Sequence, residues 1–305
     1  MMIHITDEMV EAAVSPADAQ QVLADAFLQF GNGDAAMQAR IRSEAGGVKL
    51  STLGAVIPGQ EVVGAKVYTT IKGQFSFVIL LFSAVDGRAL ATFDAGAITR
   101  LRTAGCSVIA ARHLARAGAT TLSVFGSGPL GRAHAVQMAQ AFALKRVLLA
   151  SRSSDPALAI DLEAACGVET RMASAAEAAA EADIVVTASR SPSALFSGDL
   201  LRPGSFVAAV GSSLPNTREL DDRAMARASL VAVEWRDQSL REAGDLVMAD
   251  PAALPAEKIV ELGKILAGKS MGRTTGEQIT IYKSVGVGLQ DIALAGLAYR
   301  RIAGG

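Results

Sequence analysis

A glycine-rich loop follows a short apolar run near the middle of the chain. Residues 122–125 are typical of a buried strand, Gly126, Gly128 and Gly131 follow at once, and residues 132–136 favour a helix. In a G-x-G-x-x-G loop the first glycine permits a tight turn, the second lets a pyrophosphate approach the backbone, and the third allows close helix–strand packing. The helix N-terminus then faces the negative charge. This context favours a dinucleotide site over an ordinary strand-to-helix turn.

The residues after the next expected strand indicate which dinucleotide would fit. That strand, residues 147–150, is followed by Ser151, Arg152 and Ser153. An NAD enzyme usually has an aspartate or glutamate here to bind the ribose 2′-hydroxyl, whereas a guanidinium with hydroxyl groups suits the dianionic 2′-phosphate of NADP. We therefore expect NADPH to be preferred over NADH; the alternative is that Arg152 is a solvated loop residue. The candidate cofactor-binding residues from both segments are Gly126, Ser127, Gly128, Pro129, Leu130, Gly131, Ser151, Arg152 and Ser153.

Motifs along nearly the whole chain resemble those of the ornithine cyclodeaminase/mu-crystallin family. Besides the glycine loop, they are residues 65–67, 81–82, 86–87, 98–104, 113–116, 182–187, 218–221, 272–273, 283–286 and 290–291. The resemblance implies an α/β fold in which a Rossmann-type doubly wound sheet is joined to a second α+β domain for substrate binding and dimerisation. It also implies a homodimer that pairs through the sheet of that second domain.

The activities of the family set the functional hypotheses. It includes cyclodeaminases, alanine dehydrogenases, and reductases of ketimines and cyclic imines. The chain is therefore interpreted as an NAD(P)H-dependent reductase of a small cyclic imine carboxylate, such as Δ1-pyrroline-2-carboxylate, that gives an L-amino acid. Ornithine cyclodeaminase, alanine dehydrogenase and a non-catalytic NADPH-dependent ligand-binding protein like mu-crystallin are the alternatives.

The resemblance also implies roles for individual residues. Arg40 and Arg102 hold the substrate carboxylate, and Lys66 lies against the reacting carbon and nitrogen as the catalytic residue. A guanidinium binds a carboxylate through two parallel hydrogen bonds, and an ammonium can polarise an imine or return a proton to it. Val285 is implied at the substrate, and the further residues implied at the cofactor are Gln74, Thr103, Ser189, Val210, Gly211, Ser212 and Ser284.

One position departs from the pattern of the family's cyclodeaminases. They carry an aspartate in the loop after the fifth strand, two residues before its proline, and the matching residue here is Ser213. A neutral hydroxyl is a poor general base near neutral pH. We therefore expect inefficient cyclodeamination of ornithine, unless Glu219 or Asp221 supplies the missing carboxylate.

The elements that must position these residues change in character near Gly118. Before it, residues 15–33 predict an amphipathic helix, and residues 48–93 indicate a mostly antiparallel sheet. Asp94 is predicted to cap a further helix that ends at Gly118.

After Gly118, short buried strands alternate with alanine-rich helices, which predicts a parallel sheet with right-handed crossovers. The expected strands are residues 122–125, 147–150, 184–187, 206–210 and 230–233. The last helix, residues 285–302, is expected to return to the first domain. The predicted domains are residues 1–119 with 281–305 for substrate binding and dimerisation, and residues 120–280 for the dinucleotide.

Composition and charge exclude several classes of protein. The 29 Lys and Arg residues nearly cancel the 30 Asp and Glu residues, so no overall basic field exists to bind a nucleic acid or an anionic membrane. The longest bulky apolar run, residues 75–85, is shorter than the ~20 residues of a membrane-spanning helix. Cys106 and Cys166 cannot form a disulfide framework, and the three histidines lack metal-ligand spacing. We expect a cytoplasmic protein with a small-molecule substrate and no metal.

Overall fold

The computed structural model describes residues 2–304. Contacts within the chain divide it into two compact units. The described residues up to Cys106, together with those from Gly286 onward, form the first unit, and Ser107–Val285 form the second. Both chain ends therefore belong to one unit. The domain boundaries expected at residues 119/120 and 280/281 remain predictions about which segments fold independently.

The first unit is built on a six-stranded sheet. Its strands are β1 (Ile3–Ile5), β2 (Ala36–Ala45), β3 (Val48–Ile57), β4 (Val62–Ile71), β5 (Gln74–Ser83) and β6 (Ala89–Asp94). Its helices are α1 (Asp7–Ala13), α2 (Pro16–Asn32), α3 (Gly96–Leu114), within which the division between the units falls, and α11 (Gly288–Ala303). The strand order is β1-β6-β5-β4-β3-β2. Strands β2 to β6 form an antiparallel meander and β1 pairs in parallel with β6, so the mostly antiparallel sheet is confirmed.

Local signals at the two long N-terminal helices explain where each begins. The helix predicted over residues 15–33 is confirmed as α2, and the structure shows that Ser15 and Asp18 form a capping box at its start. The predicted cap of α3 is wrong, because Asp94 is the last residue of β6 and the helix begins only at Gly96. The backbone N–H of Ala97 instead donates to Asp7 Oδ1 at 2.8 Å. A carboxylate from α1 therefore satisfies this helix end.

The second unit is built on an eight-stranded parallel sheet. Its strands are β7 (Thr121–Phe125), β8 (Arg146–Ala150), β9 (Thr170–Met172), β10 (Ile184–Thr187), β11 (Phe206–Ala209), β12 (Ala228–Val233), β13 (Ile259–Glu261) and β14 (Ile279–Lys283). Its helices are α4 (Pro129–Ala141), α5 (Ala157–Cys166), α6 (Ala175–Glu181), α7 (Asp222–Arg227), α8 (Arg236–Glu242), α9 (Gly244–Val247) and α10 (Leu262–Leu266). Strands β9, β13 and β14 were not predicted. No helix within residues 2–304 is long and apolar enough to cross a membrane.

The strand order of the second unit, β13-β12-β14-β11-β10-β7-β8-β9, identifies the type of sheet. The chain begins in the middle at β7, winds outward through β8 and β9, and then returns to the other side of β7 with β10 and β11. This reversal defines a doubly wound, Rossmann-type sheet, so the predicted fold class is confirmed. Such sheets bind ligands at the carboxyl ends of the strands beside the reversal, which here are β7 and β10.

Candidate cofactor and substrate sites

The loop between β7 and α4 has the backbone that a dinucleotide fingerprint requires. Gly126 has φ 119°, and a Cβ there would lie 2.6 Å from the backbone oxygen of Ala188. A Cβ at Gly131 would overlap the backbone oxygen of Gly126, so both positions need glycine. Gly128 has no atom near its missing side chain, so the space above it is open. Gly128 is also the N-cap of α4, and its lack of a side chain leaves the first-turn N–H groups to an anion.

A cavity of about 900 Å³ lies over this loop, which is a size typical of small-molecule sites. Among the described residues that line it, Arg152 and Arg190 carry the only charged side chains. Ten of the candidate cofactor residues line the cavity, namely Gly126, Ser127, Gly128, Pro129, Leu130, Ser151, Arg152, Ser153, Ser189 and Gly211. The glycine spacing, the helix N-terminus and the two arginines fit a dinucleotide.

The other six candidate cofactor residues do not line the cavity, and one of them, Gly131, packs against the backbone of Gly126. Val210, Ser212 and Ser284 are buried in the second unit just after β11 and β14 and do not line the cavity. Thr103 is buried on α3 in the first unit, where its hydroxyl donates to the backbone oxygen of Thr99. Gln74 is exposed at the β4–β5 turn, five residues along β5 from the partner of Lys66.

A buried carboxylate fixes the loops after β10 and β11. Glu219 is fully buried, and its Oε1 accepts from the backbone N–H and the hydroxyl of Ser189 at 2.8 and 2.7 Å. Its Oε2 accepts from the Thr187 hydroxyl at 2.9 Å and the Gly211 backbone N–H at 2.7 Å. Four hydrogen bonds thus converge on one buried side chain, so Glu219 holds two cavity-lining residues, Ser189 and Gly211, in place.

A second set of buried charges fixes the segments after β11 and β14. Lys283 Nζ lies 2.8 Å from Asp245 Oδ2 and donates to the backbone oxygen of Ser212 at 2.7 Å. Glu234 accepts from the Ser284 hydroxyl at 2.6 Å and from the Val285 backbone N–H at 2.8 Å. Three of the residues predicted at the ligands are therefore positioned by carboxylates or ammonium groups that the sequence did not single out.

In the first unit, Lys66 lies in a buried cluster of charged groups. It is 3% exposed, and its Nζ donates to the Thr99 hydroxyl at 2.6 Å and to Asp291 Oδ1 at 3.1 Å. The ammonium also lies 4.5 Å from the centre of the Phe77 ring, on the same face of the sheet. Strand β4 supplies the lysine and α11 supplies the aspartate, so the packing of this helix on the sheet assembles the cluster.

Two arginines complete this cluster. Arg102 Nη1 donates to Gln290 Oε1 at 2.7 Å, and its Nε lies 3.4 Å from Asp291 Oδ1. Arg40 Nη2 donates to the backbone oxygen of Gly286 at 2.7 Å. Gly286 has φ 76°, and a Cβ there would lie 3.0 Å from both terminal nitrogens of Arg102. Three cationic side chains therefore gather around one buried carboxylate.

Burial and neighbouring charges shift two pKa values in the cluster. Burial lowers the pKa of Lys66 to about 8, because the Asp291 charge offsets only part of the desolvation and Arg102 adds to the lowering. For Asp291, burial acts to raise the pKa, but the charges of Lys66 and Arg102 outweigh it and hold the pKa below its usual value. The cluster thus contains an ionised carboxylate and an ammonium that can release its proton near neutral pH.

Comparisons with known proteins identify the family. The model of the ornithine cyclodeaminase/mu-crystallin family matches residues 1–305. The chain belongs to this family. The resemblance seen in its motifs is confirmed, and the chain is an oxidoreductase of the ornithine cyclodeaminase/mu-crystallin family.

Three relatives show the range of names within the family. A Δ1-pyrroline-2-carboxylate reductase of Bacillus cereus is 35% identical over 263 residues, which cover 85% of this chain and 78% of the relative. The ketimine reductase mu-crystallin of Mus musculus is 31% identical over 221 residues, 72% of this chain and 68% of the relative. A solved structure, a probable ornithine cyclodeaminase from Bordetella pertussis Tohama I, is 60% identical with a TM-score of 0.97, covering 100% of this chain and 98% of that chain.

The structure adds site residues of this family member that sequence reasoning missed. Asp291 and Gln290 were noted only as a motif, although a charged residue within the apolar stretch 285–302 is itself a signal, because buried charges are almost always paired. Arg190 carries no comparable signal, since a loop arginine looks solvated in the sequence. Glu219 was considered only as a substitute base, and its role in fixing two loops was missed. Within residues 2–304, no group of three His, Cys, Asp or Glu side chains could hold a metal ion.

Proposed function

We propose that the chain is an NAD(P)H-dependent reductase of a small cyclic imine carboxylate of the Δ1-pyrroline-2-carboxylate class, which gives an L-amino acid. The observation that carries the proposal is the excess of positive charge around Asp291. Lys66, Arg102 and Arg40 bring three cations to one carboxylate. A substrate carboxylate offsets this excess, whereas a neutral ligand does not. The Bacillus and mouse relatives, both named as imine or ketimine reductases, support the same reaction.

Each cluster residue has a role in this proposal. The Arg102 and Arg40 guanidinium groups bind the substrate carboxylate, which fixes the position and orientation of the ring. When bound, the reduced nicotinamide supplies a hydride for the imine carbon. The Lys66 ammonium holds a proton for the imine nitrogen, so that the C=N bond becomes a CH–NH bond and Lys66 is left neutral until it recovers a proton. Val285 is proposed to contact the substrate.

The second unit is proposed to hold the cofactor, with NADPH preferred over NADH. The glycine loop and the first turn of α4 provide N–H donors for the pyrophosphate, and Ser151, Arg152 and Ser153 face the 2′-phosphate. Ser127 and Ser151 share a hydrogen bond of 3.0 Å, which brings these two segments together. The further residues proposed to bind the cofactor are Gln74, Thr103, Ser189, Val210, Gly211, Ser212 and Ser284. Residues 120–280 would then form the dinucleotide domain, and the rest of the chain the substrate and dimerisation domain.

A panel of substrates tests this function. We expect NADPH oxidation, followed at the nicotinamide absorbance band, with five- and six-membered cyclic imine carboxylates. Pyruvate with ammonia should react at least about tenfold more slowly, because its imine must first form in solution. A faster reaction with pyruvate and ammonia would instead make the chain an alanine dehydrogenase. NADPH binding without turnover of any substrate would make it a ligand-binding protein.

We further propose that the chain forms a homodimer through the outer face of the first-unit sheet. The registers Val48 with Ile71 and Val67 with Val78 place exposed apolar side chains on that face. The exposed apolar residues that share it are Ile41, Val48, Leu50, Val56, Ile71 and Val78. A contiguous apolar surface of this kind marks an interaction site, and the family resemblance implies dimers that pair there.

The dimer has a direct test. Introducing Leu50→Lys together with Val78→Lys is expected to convert the dimer to a monomer, as measured by light scattering, because each interface would then bury four unpaired ammonium groups. The matched control is Val85→Lys, which adds a charge at an apolar residue that is 74% exposed in the β5–β6 turn and is expected to change nothing. A wild-type chain of monomeric mass would refute the proposal.

A further inference from the structure

Two arginines line the cofactor cavity, but the proposed function gives a role only to Arg152. Arg152 follows β8 and Arg190 follows β10, and both line the cavity. Among the lining residues that the structure describes, none is an aspartate, a glutamate or a lysine. The cavity therefore carries two positive charges and no protein anion.

Neither of these guanidinium groups has a partner in the part of the chain that the structure describes. Within residues 2–304, neither Arg152 nor Arg190 forms a hydrogen bond or an ion pair through its side chain. Other arginines of the second unit are engaged: Arg116 and Arg202, for example, both bind Asp183. Two unpaired guanidinium groups at one cavity indicate a ligand with concentrated negative charge.

The backbone that carries Arg190 is fixed on both sides. Ser189 is bound by Glu219 through its backbone N–H and its hydroxyl. The backbone N–H of Ser191 donates to the Ser189 hydroxyl at 3.2 Å, and the Ser191 hydroxyl donates to the backbone oxygen of Ser193 at 2.6 Å. Arg190 is therefore an exposed side chain on a fixed loop, which limits the entropy lost when it binds a ligand.

The sheet places the two arginines on either side of the glycine loop. Strands β8 and β10 both pair with β7, so their carboxyl ends lie roughly 10 Å apart, twice the spacing between neighbouring strands. Two long side chains from these positions can converge on one group of the adenosine half. The Ser127–Ser151 hydrogen bond keeps the β8 end next to the loop between them.

The charges of the cofactor phosphates indicate which of them Arg190 binds. The N–H donors of the glycine loop and the α4 N-terminus already match a pyrophosphate. A phosphate monoester adds a charge of about −1.5 to −2 near pH 7, which one guanidinium neutralises only in part. NADH has no such group. Building on the NADPH preference proposed above, we propose that Arg190 is a second specificity residue that binds the adenosine 2′-phosphate together with Arg152.

Calorimetric binding to the purified protein tests this inference without relying on catalysis. The ligands are NADPH, NADH, 2′,5′-ADP and 5′-ADP, and the variants are Arg152→Ala, Arg190→Ala and the double variant. Arg190→Ala is expected to weaken NADPH and 2′,5′-ADP about tenfold, while NADH and 5′-ADP change by less than about twofold. The matched control Arg241→Ala removes an exposed arginine of α8 that lies outside the cavity and should leave all four affinities unchanged.

The variants also separate this inference from the proposals on which it rests. An equal loss of NADPH and NADH binding in Arg190→Ala would place this residue on a part common to both, such as the adenine face, and would overturn the inference. Unchanged affinity for all four ligands in Arg190→Ala would also overturn the inference. If Arg152→Ala then weakens only NADPH and 2′,5′-ADP, the proposed preference for NADPH still stands. If the wild-type protein binds NADH as tightly as NADPH, both the proposed preference for NADPH and the proposed role of Arg190 are wrong. The calorimetric experiment does not measure imine reduction. Failure of the proposed imine reductase activity is therefore detected only by the substrate panel.

Discussion

Lys66→Met is expected to lower kcat for the cyclic imine carboxylate by about 10²–10⁴-fold, the usual contribution of a positioned general acid. Methionine keeps most of the apolar stem of Lys66 but removes the ammonium that Thr99 and Asp291 orient. The affinity for NADPH should stay unchanged, because the cofactor cavity is built by residues of the second unit. If the variant binds NADPH with wild-type affinity and also has wild-type kcat, Lys66 is not the proton donor.

The pH dependence of kcat gives a second test of Lys66 as the general acid. The pKa of Lys66 is about 8, so the ammonium is present below that pH and is lost as the pH rises through it. We expect kcat to fall on the alkaline side with an apparent pKa near 8. Asp291→Asn removes a charge that raises the pKa of Lys66 and should move this limb to lower pH. Arg102→Ala removes a charge that lowers it and should move the limb to higher pH.

Arg102→Ala also separates binding from chemistry. Because the substrate carboxylate is charged throughout the reaction, loss of its guanidinium partner should chiefly raise KM, whereas Lys66→Met should chiefly lower kcat. Asp291→Asn and Arg102→Ala alter the same buried cluster, so a general loss of structure would move both pH profiles in the same direction. Profiles of kcat that shift in opposite directions would support the proposed role, and unshifted profiles would contradict it.

The fold was predictable where the sequence contains strong local signals. The helix that begins after Ser15, the mostly antiparallel sheet and the five strands of the alternating segment all follow from short-range patterns. Strands β9 and β13 have three residues each, too few for any periodicity, and only pairing with a neighbour makes them strands. The cap of α3 was mispredicted because Asp7, which replaces Asp94, lies almost ninety residues away in the sequence.

The candidate sites were predictable to different degrees for a similar reason. The glycine loop is contiguous, so its residues and Arg152 could be identified from spacing, and all of them except Gly131 line the same cavity. The cluster around Lys66 is assembled from β4, α3 and α11 by long-range packing. Without the family resemblance, nothing in the sequence relates Lys66 to Asp291, and Glu219 becomes informative only once its four hydrogen bonds are seen.

The second large effect expected concerns ornithine. With ornithine and NAD⁺ or NADP⁺, wild-type turnover to ammonia and proline should be at least about a hundredfold slower than imine reduction, because the general base for the addition steps is missing. The loop after β11 carries Ser213 at the position where the family resemblance implies an aspartate in cyclodeaminases. Imine reduction needs no such base, since the electrophile already exists and only a hydride and a proton are delivered.

The structure shows that the two carboxylates considered as substitutes are already engaged. Glu219 is fully buried and accepts four hydrogen bonds from the loops after β10 and β11. Asp221 caps α7 by accepting from the Ala224 backbone N–H at 2.8 Å, and it also accepts from the Gly198 backbone N–H. Moving either side chain to a substrate would leave two backbone N–H donors without partners, at a cost of about 1–3 kcal/mol for each buried donor.

A substitution at Ser213 gives the sharpest test of this explanation. Ser213→Asp is expected to raise ornithine turnover while imine reduction stays close to wild type, and the matched control Ser213→Ala should change neither activity. Ammonia and proline must be measured together, because cyclodeamination of ornithine releases the two products in equal amounts. The 60% identical relative is named a probable ornithine cyclodeaminase, so wild-type ornithine turnover comparable to imine reduction would favour that activity here and would contradict the explanation based on Ser213.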